Sequence, residues 1–108
     1  MDLSRLLPAT DPADVAARLR TVMDPEIGVN IVDLGLVYEC DVNAGVAHVL
    51  MTTTTPACPI GSFLEDQIRW TLLDAPGVVD VDIVVTHEPP WSPALMTPAA
   101  RRMLGLPA

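Results

Sequence analysis

The sequence contains no lysine, and all six of its basic residues are arginine. A Schiff-base lysine, a phosphate-loop lysine and a lysine general base are thereby excluded. Aromatic residues are scarce: Tyr38, Phe63, Trp70 and Trp91 are the only ones, so the core has to be aliphatic. Cys40 and Cys58 are too few for a disulfide scaffold and read as free thiols. Positive charge is also short. Six arginines against 14 carboxylates leave a net charge of -8, which repels phosphate backbones and anionic lipid, and Arg101-Arg102 is the one basic pair. Nucleic-acid and membrane partners are therefore not expected. No apolar run approaches the ~18 residues of a membrane span, and the stretch Met1 to Thr10 has only Leu6-Leu7, so the expected location is cytoplasmic. The glycine-rich nucleotide motifs, the GxSxG elbow and the CxxC, HxxxH and HExxH metal spacings are absent as well.

What is present fits one domain spanning 1–108, a length that buries roughly two-thirds of the surface of the unfolded chain. Asp11-Pro12 is a helix start, with Val15, Leu19 and Val22 recurring on one face. This predicts a helix from about Pro12 to Met23, stopped by Asp24-Pro25, with Arg18 and Arg20 facing water. Alternation from Leu34 to Val42 predicts a strand with Leu36, Tyr38, Cys40 and Val42 on one face. Asn43-Ala44-Gly45 turns the chain into a second strand from Val46 to about Thr54. There Val49 and Met51 share one face, and His48, Leu50 and Thr52 the other. Ile60, Leu64, Ile68 and Leu72 repeat at helical spacing until Ala75-Pro76-Gly77. A third strand over Val78–Thr86 buries Val79, Val81, Ile83 and Val85. It lies parallel to the second, because a helix joins them. A stiff Glu88–Pro93 connector and a short helix opened by Thr97-Pro98 complete the chain. The expected fold class is α+β, a small mixed three-stranded sheet packed with helices in the order α-β-β-α-β-α.

Chemistry concentrates in Thr52–Pro59, between a strand and a helix. If the helix starts at Pro59, Cys58 meets the positive end of the helix dipole and unpaired N–H groups, which favour a thiolate. The hydroxyls of Thr54 and Thr55 are then placed to donate to the sulfur or to an anion. If the helix starts at Ser62, with Glu65 completing a capping box, Cys58 lies in a loop. A small buried hydrophobe is the alternative reading of Cys58. Asp24-Pro25-Glu26 is an acidic turn, read either as helix punctuation with solvated carboxylates or as part of a site. Trp91, in Pro89-Pro90-Trp91, is either a lid on the core or a docking residue. His48 reads as a half-exposed strand residue and Cys40 as core; His87 gives no metal spacing with either.

Four motifs occur in order: Asp24-Pro25-Glu26-Ile27, Asn30–Tyr38, Thr54-Thr55-Pro56-Ala57-Cys58-Pro59, and Pro89-Pro90-Trp91. Together they resemble the SufT/PaaD-like family of metal–sulfur cluster assembly proteins, over about Val15 to Leu106. The resemblance implies an iron–sulfur cluster assembly type of domain and an accessory role in cluster assembly or delivery, without turnover. It also implies a functional site of Cys58, Thr54, Thr55, Asp24 and Glu26, with Trp91 on a docking surface and Cys58 as a transient ligand to iron or cluster. An iron–sulfur cluster usually takes four thiolates and the chain has two, so no tightly bound cofactor is expected. Any iron or cluster would be shared, completed by other ligands or in transit. The implied partners are iron–sulfur assembly machinery or apoproteins, with a homodimer left open. The cysteine-rich C-terminal extension of the phenylacetate-pathway branch is missing, so the chain resembles the stand-alone SufT type. Two other functions stay open: an interaction subunit of a multicomponent oxygenase, and a small thiol enzyme.

Overall fold

The computed structural model describes residues 11–54 and 61–107. Its elements are α1 (Pro12–Leu19), β1 (Val37–Asn43), β2 (Val46–Met51), α2 (Gly61–Leu73), β3 (Asp80–Val85), a 3-10 turn (Pro93–Leu95) and α3 (Pro98–Met103). The sheet order is β1-β2-β3, antiparallel between β1 and β2 and parallel between β2 and β3. This is the expected α+β class and strand arrangement.

Asp11 caps α1 by accepting the Ala13 N–H at 2.9 Å, with Pro12 at the first helical position. The helix ends at Leu19, before the predicted Met23. The Thr21 hydroxyl donates to the Arg18 carbonyl at 2.7 Å. Beyond it, Val22 already accepts from Ile31 N–H at 3.0 Å, and Met23 bridges Asn30. Val22 is buried as its spacing implied, but from a non-helical backbone. Arg18 does not simply face water, since it ion-pairs with Asp14 at 3.0 Å and with Asp74 at 3.1 Å, just beyond the end of α2.

Ala44 (φ 52°) and Gly45 (φ 80°) form the β1–β2 turn, both left-handed as a two-residue hairpin requires. The predicted alternation of β1 is broken at Tyr38. Val37 pairs with Met51 and Glu39 with Leu50, so Tyr38 is an extra residue and the faces reset after it. Cys40 then pairs with buried Val49, but β1 is an edge strand and Cys40 is exposed, so its assignment to the core is wrong. At the other edge, Val78 is buried and Val79 exposed, the reverse of the expected pattern. Val79 and Asp80 N–H groups both point at the Gly45 carbonyl, and regular pairing starts only at Asp80. Val81 is buried and Ile83 packs on the core, whereas Val85 is exposed.

The core is aliphatic. Leu64, Ile68 and Leu72 of α2 lie with Val15 and Leu19 of α1 over Ala47, Val49 and Met51 of β2. Each of these leucine, isoleucine, valine and methionine side chains, fully buried, contributes roughly 1.5–3 kcal/mol. Phe63 and Trp70 point away from this core, at 48% and 63% exposure.

The segment before β1 holds the C-terminal connector. Asn30 caps its own turn, accepting the Asp33 N–H and donating to the Asp33 carboxylate, both at 2.9 Å. The Asp33 carbonyl accepts from Thr97 N–H at 2.9 Å, and the Leu34 carbonyl from the Trp91 indole at 2.7 Å. The Tyr38 hydroxyl donates to the Pro89 carbonyl at 2.7 Å. Gly35 (φ 79°) lies against the Leu95 backbone, where a Cβ would overlap the Leu95 carbonyl. Left-handed backbone costs an L-residue roughly 1–2 kcal/mol, and the overlap adds to it. Gly35→Ala is therefore expected to lower the free energy of unfolding in urea by about 2 kcal/mol or more. A loss below about 0.5 kcal/mol would contradict this packing.

Candidate functional site

Parallel pairing of β2 and β3 brings their carboxyl ends side by side, and α2 must begin near that end to return the chain. Crevices outside the carboxyl ends of parallel strands are recurrent ligand sites. Pairing persists past the strands: Thr52 N–H donates to the Leu36 carbonyl and Thr86 N–H to the Met51 carbonyl, both at 2.8 Å. Thr52, which alternation groups with His48 and Leu50, is buried, because its backbone is held by the loop before β1. Thr53 is also buried, and its hydroxyl meets His87 Nε2 at 3.1 Å. Thr54 follows, half-buried, while Thr55 and Cys58 lie outside the described residues. The helix already includes Ser62, so a capping box starting there does not form.

His87, which has no metal-ligand spacing in the sequence, joins the threonine segment. The signal was the parallel register: Met51 faces Val85, and two further places set His87 opposite Thr53.

Asp24 is buried, not solvated. Its Oδ1 accepts from Glu26 N–H at 2.9 Å and Ile27 N–H at 3.1 Å, which folds Pro25-Glu26 over it and leaves Glu26 exposed. Asp24 N–H donates to Val29 at 3.0 Å, and its carbonyl accepts from Gly28 at 2.8 Å. A run of backbone hydrogen bonds then links this turn to the end of β2: Ile31 to Val22, Leu36 to Ile31, Thr52 to Leu36. The acidic turn and the threonine segment therefore belong to one hydrogen-bonded layer. Within it Asp24 shapes the loop and Glu26 presents an exposed carboxylate. Trp91 is half-buried against the core with its N–H engaged, which matches a lid.

The remaining candidates lie elsewhere. His48 is on the open face of the sheet, 3.3 Å from Asp82. Cys40 is on edge strand β1; partial burial of its sulfur pushes the thiol above its ordinary value, and Asp41 adds to the effect. Among the described residues, no group of three or more His, Cys, Asp or Glu is placed to hold a metal ion. Nor is any helix there long and apolar enough to cross a membrane.

A mixed three-stranded sheet with a threonine-rich segment at the carboxyl end of β2 defines a small α+β domain. Residues 12–85 match the family described as iron-sulfur cluster assembly protein, and the chain belongs to that family. It is 37% identical to the Fe-S protein maturation auxiliary factor YitW of Bacillus subtilis, over 86% of this chain and 92% of that protein. It is 40% identical to the Fe-S protein maturation auxiliary factor SufT of Staphylococcus aureus, over 79% of this chain and 98% of the relative. Among solved structures, a domain of unknown function from Bacillus anthracis superposes with a TM-score of 0.83 at 34% identity, covering 88% of this chain and 92% of that one.

The Asp24 turn gives a direct test. Asp24→Ala leaves two N–H groups without their acceptor and is expected to cost about 2–3 kcal/mol in urea unfolding. Asp24→Asn keeps an acceptor oxygen and is expected to lose about half as much. Equal losses would contradict the geometry.

Proposed function

We propose that this protein is an accessory factor in iron–sulfur cluster assembly or delivery, acting through the Cys58 thiolate without catalytic turnover of its own. The reading is supported most by one observation: the cysteine-bearing connection leaves β2 at the carboxyl end of the parallel pair and enters α2. There the N–H groups that open a helix favour negative charge. Iron or cluster is cargo on this reading, held transiently by Cys58 together with ligands from a partner, since two cysteines cannot complete a four-thiolate site. Thr54 and Thr55 donate hydrogen bonds to the sulfur, Asp24 holds the acidic turn in shape, and Glu26 supplies a hard auxiliary oxygen. Trp91 keeps the connector in place beside a docking surface. The partners are assembly machinery and apoproteins in the cytoplasm. A factor of this kind needs neither a nucleotide site nor a resident metal.

The test is genetic with an enzymatic readout. In a host lacking this gene, aconitase activity under iron limitation is expected to fall at least about threefold, while an iron-free dehydrogenase is unchanged. Wild type restores aconitase and Cys58→Ser does not. Unchanged aconitase in the deletion strain, or full rescue by Cys58→Ser, would overturn the proposal.

A further inference from the structure

Among the described residues, the helices cover one face of the sheet and leave the other bare. The register assigns the bare face its residues: Glu39 and Asp41 from β1, His48 and Leu50 from β2, Asp82 and Val84 from β3. They line a shallow groove of about 630 Å³. A second groove, of about 460 Å³, shares Glu39 and Leu50 with the first and continues to Glu88, Pro89 and Leu95. The two together run from the hairpin side of the sheet to the proline-rich connector. At ~3.4 Å per residue, β1 alone gives this track a length of about 24 Å.

Three features point to what fits there. First, parallel strands are almost always covered on both faces, yet here the β2–β3 pair is bare on one, with Val84 51% exposed beside half-buried Leu50. Second, the charge is of one sign. Among the described residues no arginine lines either groove, and the one cation-capable side chain, His48, is already against Asp82. Third, Glu39 and Asp41 have no ion-pair partner among the described residues. A second copy of the chain, with its net charge of -8, would bring the same negative face. A nucleic acid would bring phosphates. Complementarity is left to a positive surface with an apolar anchor.

We propose that the bare face of the sheet is a docking groove for a lysine- or arginine-rich segment of a partner protein, anchored by an apolar side chain between Leu50 and Val84. The carboxylates steer the approach and set its salt dependence, and the valine–leucine strip supplies the short-range contact. The inference rests on the sheet and does not depend on the chemistry at Cys58, so the two stand or fall separately.

The experiment is an NMR titration of the isotope-labelled full chain at 50 mM salt. The probe is a blocked nine-residue peptide alternating lysine and leucine, and the control is the same peptide with glutamate for lysine. The expected result is shift changes confined to residues 39–43, 46–50, 80–84 and 88, with the glutamate peptide silent. Two variants remove equal charge: Asp41→Asn with Asp82→Asn on the groove, and Glu65→Gln with Asp66→Asn on α2. The groove pair is expected to weaken binding about fivefold or more and the α2 pair less than about 1.5-fold, with Val84→Ser costing about threefold. Equal weakening by both pairs, shifts spread over the whole surface, absence of binding, or changes on dilution that reveal a second copy would each overturn the proposal. Unaltered thermal melting of the variants confirms that each is folded.

Discussion

The parallel ladder between β2 and β3 is the constraint on which the rest depends. Two parallel strands cannot be joined by a tight turn, so the chain must leave β2 at its carboxyl end and travel back outside the sheet as α2. That requirement places the threonine segment and the entry to α2 at one end of the sheet, beside His87 at the end of β3. It also puts α2 on a single face, where Leu64, Ile68 and Leu72 close the core. With α1 packed against α2 and β1, the helical layer lies on that face and the other carries carboxylates. The site and the bare face are two consequences of one topological choice.

Around this ladder, the motifs at Asp24–Ile27, Asn30–Tyr38 and Pro89–Trp91 hold the loops together. Asn30–Tyr38 offers the carbonyls of Asp33 and Leu34, the glycine at 35 and the Tyr38 hydroxyl as seats for Thr97, Trp91, Leu95 and Pro89. Pro89-Pro90-Trp91 is the matching half of the same clamp. Asp24 acts likewise inside its own turn, where a charged acceptor of two N–H groups is stronger than a neutral one. The clamp and the turn meet in the loop before β1, whose Leu36 carbonyl receives Thr52 at the end of β2. Residues with no reacting atom can thus determine where the threonine segment sits.

Much of this was legible in the sequence. Caps at Asp11 and Thr97, the Ala44-Gly45 turn and the spacing of Leu64, Ile68 and Leu72 are local signals, and each corresponds to a feature of the fold. Failures occurred where a distant partner overrode a local pattern. Periodicity carried α1 on to Met23, but Val22 and Met23 are claimed by Ile31 and Asn30. Alternation placed Tyr38 and Cys40 on one face, but a bulge at Tyr38 resets the register, leaving Tyr38 half-buried against Pro89 and Cys40 exposed on the edge strand. The burial of Asp24 was hidden because a carboxylate that accepts its own backbone N–H groups has the same sequence as a solvated one. His87 required the strand register, which no local pattern contains.

The central proposal is that Cys58, and not Cys40, is the reactive thiolate of this chain, and the two cysteines provide an internal comparison. Cys40 sits on an edge strand where partial burial and Asp41 hold its thiol above the ordinary value. The measurement is the rate of iodoacetamide alkylation at each cysteine as a function of pH, followed by mass spectrometry on the intact folded protein. The account predicts that Cys58 reaches half its maximal rate at least about one pH unit below Cys40, as expected for a thiolate favoured by backbone N–H groups. Coincident profiles, or a Cys58 profile displaced above that of Cys40, would contradict it.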